Sequence, residues 1–139
     1  MELEKKRKER YLEKIQYAEE SLLKLEEWIG DADKDEKSYA ASAKEFQEAI
    51  EALTDVFAML VKDHGKLPKD DYTNIERLEE LGVLSKDEGK LCREANGLRN
   101  VIVHKYNHVD RMLFIESANS LLGPIKSVLC KLRALIENE

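Results

Sequence analysis

The sequence predicts an all-α fold, an antiparallel bundle of about five helices. Charged residues make up 37% of the 139 residues and aromatic residues only 6%, a balance typical of long amphipathic helices. Apolar residues recur at alternating steps of three and four along most of the chain. A chain of this length buries one core without metals or disulfides, so we expect residues 1–139 to form a single helical domain.

Two long apolar stripes predict the first two helices. The first stripe comprises Tyr11, Ile15, Ala18, Leu22, Leu25 and Ile29, and Gly30 is expected to end its helix. The second follows a loop at residues 31–37 and comprises Tyr39, Ala43, Phe46, Ile50, Leu53, Phe57 and Leu60. Residues 1–10 carry mixed charges and no stripe, so we expect a solvated helical extension or a frayed end there.

Helices three and four are bounded by turn and capping residues. A short third helix is predicted from Tyr72, Ile75, Leu78 and Leu81, with Gly82 ending it in the left-handed conformation. Ser85 and Glu88 have the spacing of a capping box at the start of the fourth helix. The stripe of this fourth helix comprises Leu91, Ala95, Leu98 and Ile102.

The fifth helix is predicted to begin at Asp110 and to carry two apolar stripes. The main stripe comprises Ile115, Ala118, Leu122, Ile125, Leu129, Leu132 and Ile136, and Pro124 is expected to kink it. The second comprises Phe114, Leu121, Val128 and Leu135. We interpret the second stripe as a subunit contact in a symmetric homodimer; the alternative is a deeply buried central helix.

Charge and cysteine content limit the functional classes. The net charge of -6 opposes polyanion binding except at a locally basic face. Cys92 and Cys130 lack the spacing of a zinc site and are expected to be free buried thiols, which indicates a reducing compartment. The sequence contains no membrane-length apolar run and no secretory signal, so we expect a cytoplasmic protein without a membrane partner.

Polar side chains are concentrated in residues 97–110, at the end of the fourth helix and beyond. His104 titrates near neutral pH and is a candidate general base or acid. Arg99 stays charged and offers a fork of donors to phosphate oxygens, and Asn100 is a candidate orienting partner. These groups suit the cleavage of RNA through its own 2′-hydroxyl.

Helical geometry does not bring the two candidate catalytic residues together. At 100° per residue, Arg99 and His104 lie about 140° apart on an ideal helix. Asn100 and His104 lie on one edge, whereas Arg99 and Tyr106 lie on another. We therefore expect a site at a dimer cleft that uses one edge from each subunit.

The segment resembles the R-N-x-x-x-H-x-Y motif of the HEPN superfamily, with Arg99, Asn100, His104 and Tyr106 at the specified positions. Trp28 near the end of the first helix, Pro68 and Tyr72 in a Pro-x3-Tyr turn, and the Leu-Gly-Val-Leu-Ser stop at residues 81–85 also resemble HepT-like proteins. The resemblance covers nearly the whole chain except its charged N-terminus.

This resemblance implies a toxin: a homodimeric, metal-independent endoribonuclease without a cofactor, neutralised by a cognate minimal nucleotidyltransferase antitoxin. Arg99, Asn100 and His104 would be catalytic, and the RNA substrate would be tRNA or mRNA. Tyr106 would be the tyrosine that the partner adenylylates.

Simpler interpretations of the same residues remain open. Arg99 would pair with Asp55 or Glu51 in a structural role, His104 and His108 have the spacing of a metal pair, and His64 would cap the second helix. The candidate basic residues for RNA are Lys90, Arg93, Lys105, Arg111, Lys126, Lys131 and Arg133, of which Lys105 and Arg111 are favoured as substrate-binding. The alternative function is a non-catalytic docking or substrate-binding partner of a nucleotidyltransferase.

Overall fold

The computed structural model describes residues 1–104 and 110–139, and of His104 only the backbone. Five helices account for most of this part of the chain, which contains no strand. They are α1 (Lys5–Trp28), α2 (Glu36–Asp63), α3 (Asp71–Glu80), α4 (Lys86–His104) and α5 (Arg111–Glu137), with a short 3-10 turn at Ile29–Asp31 after α1. The predicted all-α fold of about five helices is confirmed.

Contacts show that three pairs of neighbouring helices pack antiparallel, because residue numbers fall on one helix as they rise on the other. From α1 to α2 the pairs are Arg7–Asp63, Lys14–Asp55 and Tyr17–Glu48. From α1 to α5 they are Lys8–Glu139, Glu19–Arg133 and Glu26–Lys126, and from α3 to α4 they are Tyr72–Gly97 and Glu79–Arg93. Helix α1 is therefore antiparallel to both α2 and α5, which run in the same direction, and α3 is antiparallel to α4.

Short polar side chains set the helix starts, as the sequence predicted at two of them. Ser85 and Glu88 form the reciprocal capping box of α4, and Asp110 accepts hydrogen bonds from the first backbone N–H groups of α5. Gly82 adopts the predicted left-handed conformation after α3, with φ 74°. These caps fix where α4 begins and therefore which turn of it carries Arg99.

The second stripe of α5 is buried inside the chain. Phe114, Leu121 and Val128 belong to the core, and Leu135 is half-buried against it. Helix α5 contacts α1, α4 and α2, so more than one face of it is covered. The stripe thus supplies no subunit contact, and its interpretation as one was wrong; the alternative of a deeply buried helix is correct.

Two further sequence expectations need correction. Residues 5–10 form the predicted helical extension of α1 and are mostly exposed, but the segment is not wholly solvated, because Arg7 makes two hydrogen bonds to Asp63 and Leu3 packs against the core. Cys92 is buried, and burial raises its thiol pKa to about 12. Cys130, however, is exposed, since it lies on the outward side of α5 beside the buried Leu129.

Within the described residues, no helix combines the length and the apolar character needed to cross a membrane.

A buried polar cluster ties the start of α1 to the end of α2. Tyr11 donates to the carboxylate of Asp63 at 2.6 Å, and Arg7 donates to the same oxygen at 2.8 Å. Burial opposes the charged form of Asp63, but the hydrogen bonds from Arg7 and Tyr11 outweigh it and lower its pKa.

Replacing Asp63→Asn is expected to reduce the free energy of unfolding by about 1–3 kcal/mol at neutral pH. A lowered folded-state pKa stabilises the fold above the usual aspartate value of 3.8, and this contribution is lost as the pH falls through the folded pKa. Urea unfolding should therefore show that the difference in the free energy of unfolding between wild type and variant is smaller at about pH 3 than at about pH 7. A gap of equal size at both pH values would contradict this.

Two glycines of α4 offer a matched test of packing. A Cβ on Gly97 would meet the Tyr72 hydroxyl oxygen at 3.6 Å, an ordinary contact, whereas one on Gly89 would overlap the Glu79 side chain that Arg93 holds. Gly97→Ala should stabilise the fold by about 0.5–1 kcal/mol through helix propensity. Gly89→Ala should show no gain or a loss in the same denaturant measurement, and equal gains at both positions would contradict the close α3–α4 packing.

Candidate functional site

Arg99 is held between α4 and α2. Its Nη1 donates to Asn100 Oδ1 at 2.9 Å, and its Nη2 donates to Glu51 Oε1 at 3.0 Å. The same Glu51 oxygen accepts from Gln47 Nε2 at 3.1 Å, which restrains it on α2. The Arg99 side chain remains 24% exposed, so it is held at two nitrogens without being fully buried.

A second carboxylate from α3 lies near the same guanidinium. Burial raises the pKa of Asp71, the positive charge of Arg99 counteracts that shift, and the negative charges of Asp55 and Asp70 add to it. Arg99 is therefore surrounded by carboxylates from two helices, and its charge is balanced within the protein before any ligand arrives.

Some buried polar atoms beside Arg99 have no hydrogen-bond partner within the described residues. They are Arg99 Nε and both amide atoms of Asn96, three residues earlier on α4. A buried polar group left unsatisfied costs about 1–3 kcal/mol. Proteins tend to retain such unfavourable groups at functional sites. The unpaired polar atoms therefore support the same turn of α4 as the site that the residue types indicate.

Exposed apolar side chains flank residues 105–109 on both sides. They are Val101 and Val103 on α4, and Met112 and Leu113 on α5. Within each helix the neighbouring Ile102 and Phe114 are buried, so these four point away from the core. Exposed apolar side chains close in sequence to a polar motif suit a contact with another macromolecule.

The candidate basic residues are largely neutralised inside the chain. Arg111, predicted to bind substrate, pairs with Glu36 and stacks on Tyr39, with its guanidinium carbon 4.6 Å from the ring centroid. Arg93 pairs with Glu79, Lys126 with Glu26, Lys131 with Glu88 and Arg133 with Glu19. Five of the seven candidate basic residues are therefore paired with carboxylates of the chain, whereas Lys90 makes no ion pair among the described residues.

The structure places only part of the predicted site. Arg99 and Asn100 are adjacent and hydrogen-bonded. Glu51 is the partner on α2, one of the two that a structural role of Arg99 predicted. Asp55, the other candidate partner, pairs with Lys14 instead. The His104 side chain, Lys105, Tyr106 and His108 lie outside the described residues, so their assignments stay predictions.

Some contacts in the bundle were predicted from the sequence, and others were missed. His64 Nδ1 donates to the Leu60 carbonyl at 2.7 Å, consistent with its predicted capping role. Gln47 and Asp71 were missed, because only the packing of α2 and α3 against α4 brings them to Arg99. Asn96 lies on α4 itself and was missed because an asparagine within a helix gives no local signal. Among the described residues, no group of three or more potential metal ligands is present.

The sequence matches the family model for ribonuclease HepT-like proteins over residues 9–132, and the chain belongs to this family. It is 37% identical over 132 residues to an Archaeoglobus fulgidus protein named "Putative RNase", with 95% of this chain and 94% of that protein covered. The expected HepT-like membership is confirmed.

Two solved structures share the fold at low sequence identity. One is a tri-AMPylated Shewanella oneidensis HEPN toxin in complex with MNT antitoxin, with a TM-score of 0.83 at 15% identity, covering 89% of this chain and 96% of that chain. The other is YutE, a cytosolic Bacillus subtilis protein of unknown function, with a TM-score of 0.70 at 16% identity, covering 87% and 89%. These likenesses confirm the HEPN-type bundle.

A double-mutant cycle measures how strongly Glu51 holds Arg99. Combining Arg99→Ala with Glu51→Ala should give a coupling energy of about 0.5–1 kcal/mol in urea unfolding, discounted because the Glu51 side chain is 38% exposed and water screens the pair. The same cycle on Lys14 and Asp55, a more exposed pair, is the control and should give a coupling nearer zero. Equal couplings for both pairs would contradict a specific anchoring role.

Proposed function

We propose that the protein is a toxin-type, metal-independent endoribonuclease that acts in the cytoplasm on tRNA or mRNA. The observation that carries the proposal is the Arg99 guanidinium, anchored by Glu51 and Asn100 yet partly exposed, in a chain of the HepT-like ribonuclease family. An anchored arginine loses little freedom when it binds a phosphate, which favours its use as a clamp.

The proposed chemistry assigns one role to each residue of the motif. The RNA 2′-hydroxyl attacks the adjacent phosphorus, and the 5′-oxygen of the next nucleotide leaves. Arg99 stabilises the negative charge that builds on the phosphoryl oxygens, and Asn100 orients Arg99 through their hydrogen bond. His104 moves the proton to or from the reacting oxygens.

A symmetric homodimer is part of this proposal. Arg99 and His104 lie about 140° apart around an ideal α4, so a site that needs both is more readily built from two subunits. The exposed apolar side chains Val101, Val103, Met112 and Leu113 adjoin the motif and support such a contact. The second copy would bury these side chains, and each subunit would present the edge that carries His104 to Arg99 of the other subunit.

Neutralisation is proposed to occur by adenylylation of Tyr106 by a cognate minimal nucleotidyltransferase. The tyrosine hydroxyl oxygen would attack the α-phosphorus of ATP and release pyrophosphate. Support comes from the tri-AMPylated HEPN toxin whose fold this chain shares. An added phosphate close to Arg99 would compete for the guanidinium and repel RNA.

A second candidate function is a non-catalytic docking or substrate-binding partner of a nucleotidyltransferase. The observation that favours it is the internal pairing of Arg93, Arg111, Lys126, Lys131 and Arg133 in a protein of net charge -6. Such a module would not cleave RNA.

Cleavage of total tRNA by purified protein in excess chelator distinguishes the two functions. The wild type should cleave, and His104→Ala should lose at least about a hundredfold in rate, as expected for a general acid or base. His64→Ala is the matched control, because His64 caps α2 through the Leu60 carbonyl and should leave cleavage unchanged. Absence of cleavage by folded, unmodified wild type would favour the docking module.

Tyr106→Phe should keep cleavage but escape adenylylation by the cognate nucleotidyltransferase, because the accepting hydroxyl oxygen is gone. Intact-mass measurement after incubation with ATP and the partner gives the stoichiometry of AMP addition. Tyr72→Phe, which leaves Tyr106 in place, is the control and should still be modified. Full modification of Tyr106→Phe would overturn the assignment.

A further inference from the structure

Exposed cations collect at the end of the bundle where α1 begins and α2 ends. The hydrogen bonds from Arg7 on α1 to Asp63 on α2 hold these two helix ends together. Five exposed cations close to this contact in sequence form no ion pair with any described residue. They form a basic patch that consists of Lys5, Lys6, Arg10, Lys62 and Lys66.

The charge of this region is opposite to that of the whole protein. Residues 1–10 and 62–69, the two segments that meet there, contain eight lysines and arginines and four acidic residues. Their net charge is therefore +4, in a chain whose net charge is -6. One of the four carboxylates, that of Asp63, is already engaged by Arg7 and Tyr11. The patch is thus a locally basic face of the kind that an acidic protein needs to bind a polyanion.

The cations of α1 occupy positions that are unfavourable for the helix itself. Residues 5–8, the first turn of α1, are four consecutive cations without an acidic residue. The positive end of the helix dipole lies at this turn, so positive side chains there oppose helix formation. Asp63 compensates Arg7, but Lys5 and Lys6 have no such carboxylate within the described part of the chain. An anionic ligand would relieve this repulsion.

The patch extends onto the side of α2 that holds Arg99. Lys62 follows Glu51 by eleven residues, which places the two side chains about 20° apart around an ideal helix and about 16 Å apart along its axis. Glu51 is the carboxylate that binds Arg99. Between them lies Asp55, whose charge is offset by its ion pair with Lys14. A single polyanionic strand could therefore contact Arg99 and Lys62 along one side of the bundle.

A polyanion in solution fits the patch better than a lipid surface does. A helix that lies on a membrane presents an apolar face beside its basic face. The exposed residues in the first two turns of α1 are all charged, namely Lys5, Lys6, Glu9 and Arg10. Leu67, in the loop after α2, is 75% exposed, but one leucine is a small apolar surface for insertion into a bilayer.

We propose that the basic patch is a second RNA-binding surface, where lysine and arginine side chains contact substrate phosphates several nucleotides away from the phosphate at Arg99. This inference rests on the proposed ribonuclease function and adds a preference for RNA that is long enough to reach both places. Contacts to phosphates carry no sequence information, so the patch would add affinity and orientation without reading the bases.

Cleavage of RNAs of two lengths tests the proposal. Steady-state kinetics are measured for wild type and Lys6→Gln/Lys62→Gln on single-stranded RNAs of about 4 and about 16 nucleotides. Loss of two phosphate contacts should lower kcat/KM for the longer RNA about 5-fold to 25-fold at about 0.1 M salt, mainly through KM. The shorter RNA is cleaved only when it occupies the Arg99 site, so its kcat/KM should change by less than about twofold.

Lys24→Gln/Lys34→Gln is the matched control. Both lysines are exposed, and they lie near the end of α1 and in the loop before α2, at the other end of this helix pair. The control removes the same charge from the protein but none from the basic patch, so cleavage of both RNAs should be unchanged. Thermal unfolding checks that each variant is folded.

Binding of a 2′-O-methyl version of the longer RNA, which cannot be cleaved, is an independent readout. The slope of log affinity against log salt should fall by about 1.4 for Lys6→Gln/Lys62→Gln and stay unchanged for the control. Cleavage by wild type with equal kcat/KM for the two double variants on the longer RNA would overturn the second surface alone.

Sedimentation with phosphatidylserine vesicles distinguishes a lipid surface from RNA. Loss of vesicle binding by Lys6→Gln/Lys62→Gln, with RNA binding unchanged, would assign the patch to a membrane and overturn the proposal. Failure of folded wild type to bind or cleave any single-stranded RNA would overturn the ribonuclease proposal and this inference together.

Discussion

The ion pair between Arg99 and Glu51 is the contact on which the proposed site depends. It joins α4 to α2, and α2 is itself held against α1 by the cluster of Arg7, Tyr11 and Asp63. Because the carboxylate is fixed to the bundle, the guanidinium is oriented before any substrate binds. The same pair reduces the net positive charge that RNA would meet. Glu51 therefore positions the Arg99 guanidinium but weakens its attraction for a phosphate.

This balance explains how an acidic protein with paired surface cations could still act on RNA. Long-range attraction is weak at a net charge of -6, and Arg111 is engaged by Glu36 and Tyr39. Recognition would then depend on short-range contacts, such as that between the Arg99 guanidinium and a phosphate group. A site of this kind disfavours indiscriminate binding to nucleic acid and suits a nuclease that a partner must control.

Local patterns in the sequence predicted most of the fold, and tertiary contacts account for what they missed. The stripes, the Ser85–Glu88 box and the Asp110 cap define elements from residues close in sequence, and the five helices were confirmed. In the stripe of α3, however, Tyr72 and Leu81 are exposed. Exposure of Cys130 and burial of the second α5 stripe depend on which helices surround α5. Apolar spacing reports that a face is buried but not which neighbour buries it.

The same limit applies to the site. Arg99 and Asn100 were predicted because the sequence motif and the chemistry of their side chains both indicate them. Glu51 was named as one of two possible partners of Arg99 on α2. The choice between Glu51 and Asp55 required the register between α2 and α4. Asp71 and Asn96 gave no local signal, because an aspartate at a helix start and an asparagine within a helix are ordinary in sequence.

The salt dependence of RNA binding tests most directly whether Arg99 is a phosphate clamp. Affinity for a non-cleavable single-stranded RNA is measured from low to high salt for wild type and Arg99→Ala. Loss of one phosphate contact should weaken binding and lower the slope of log affinity against log salt by about 0.7. An unchanged slope with unchanged affinity would show that Arg99 serves the fold alone, and would contradict the account.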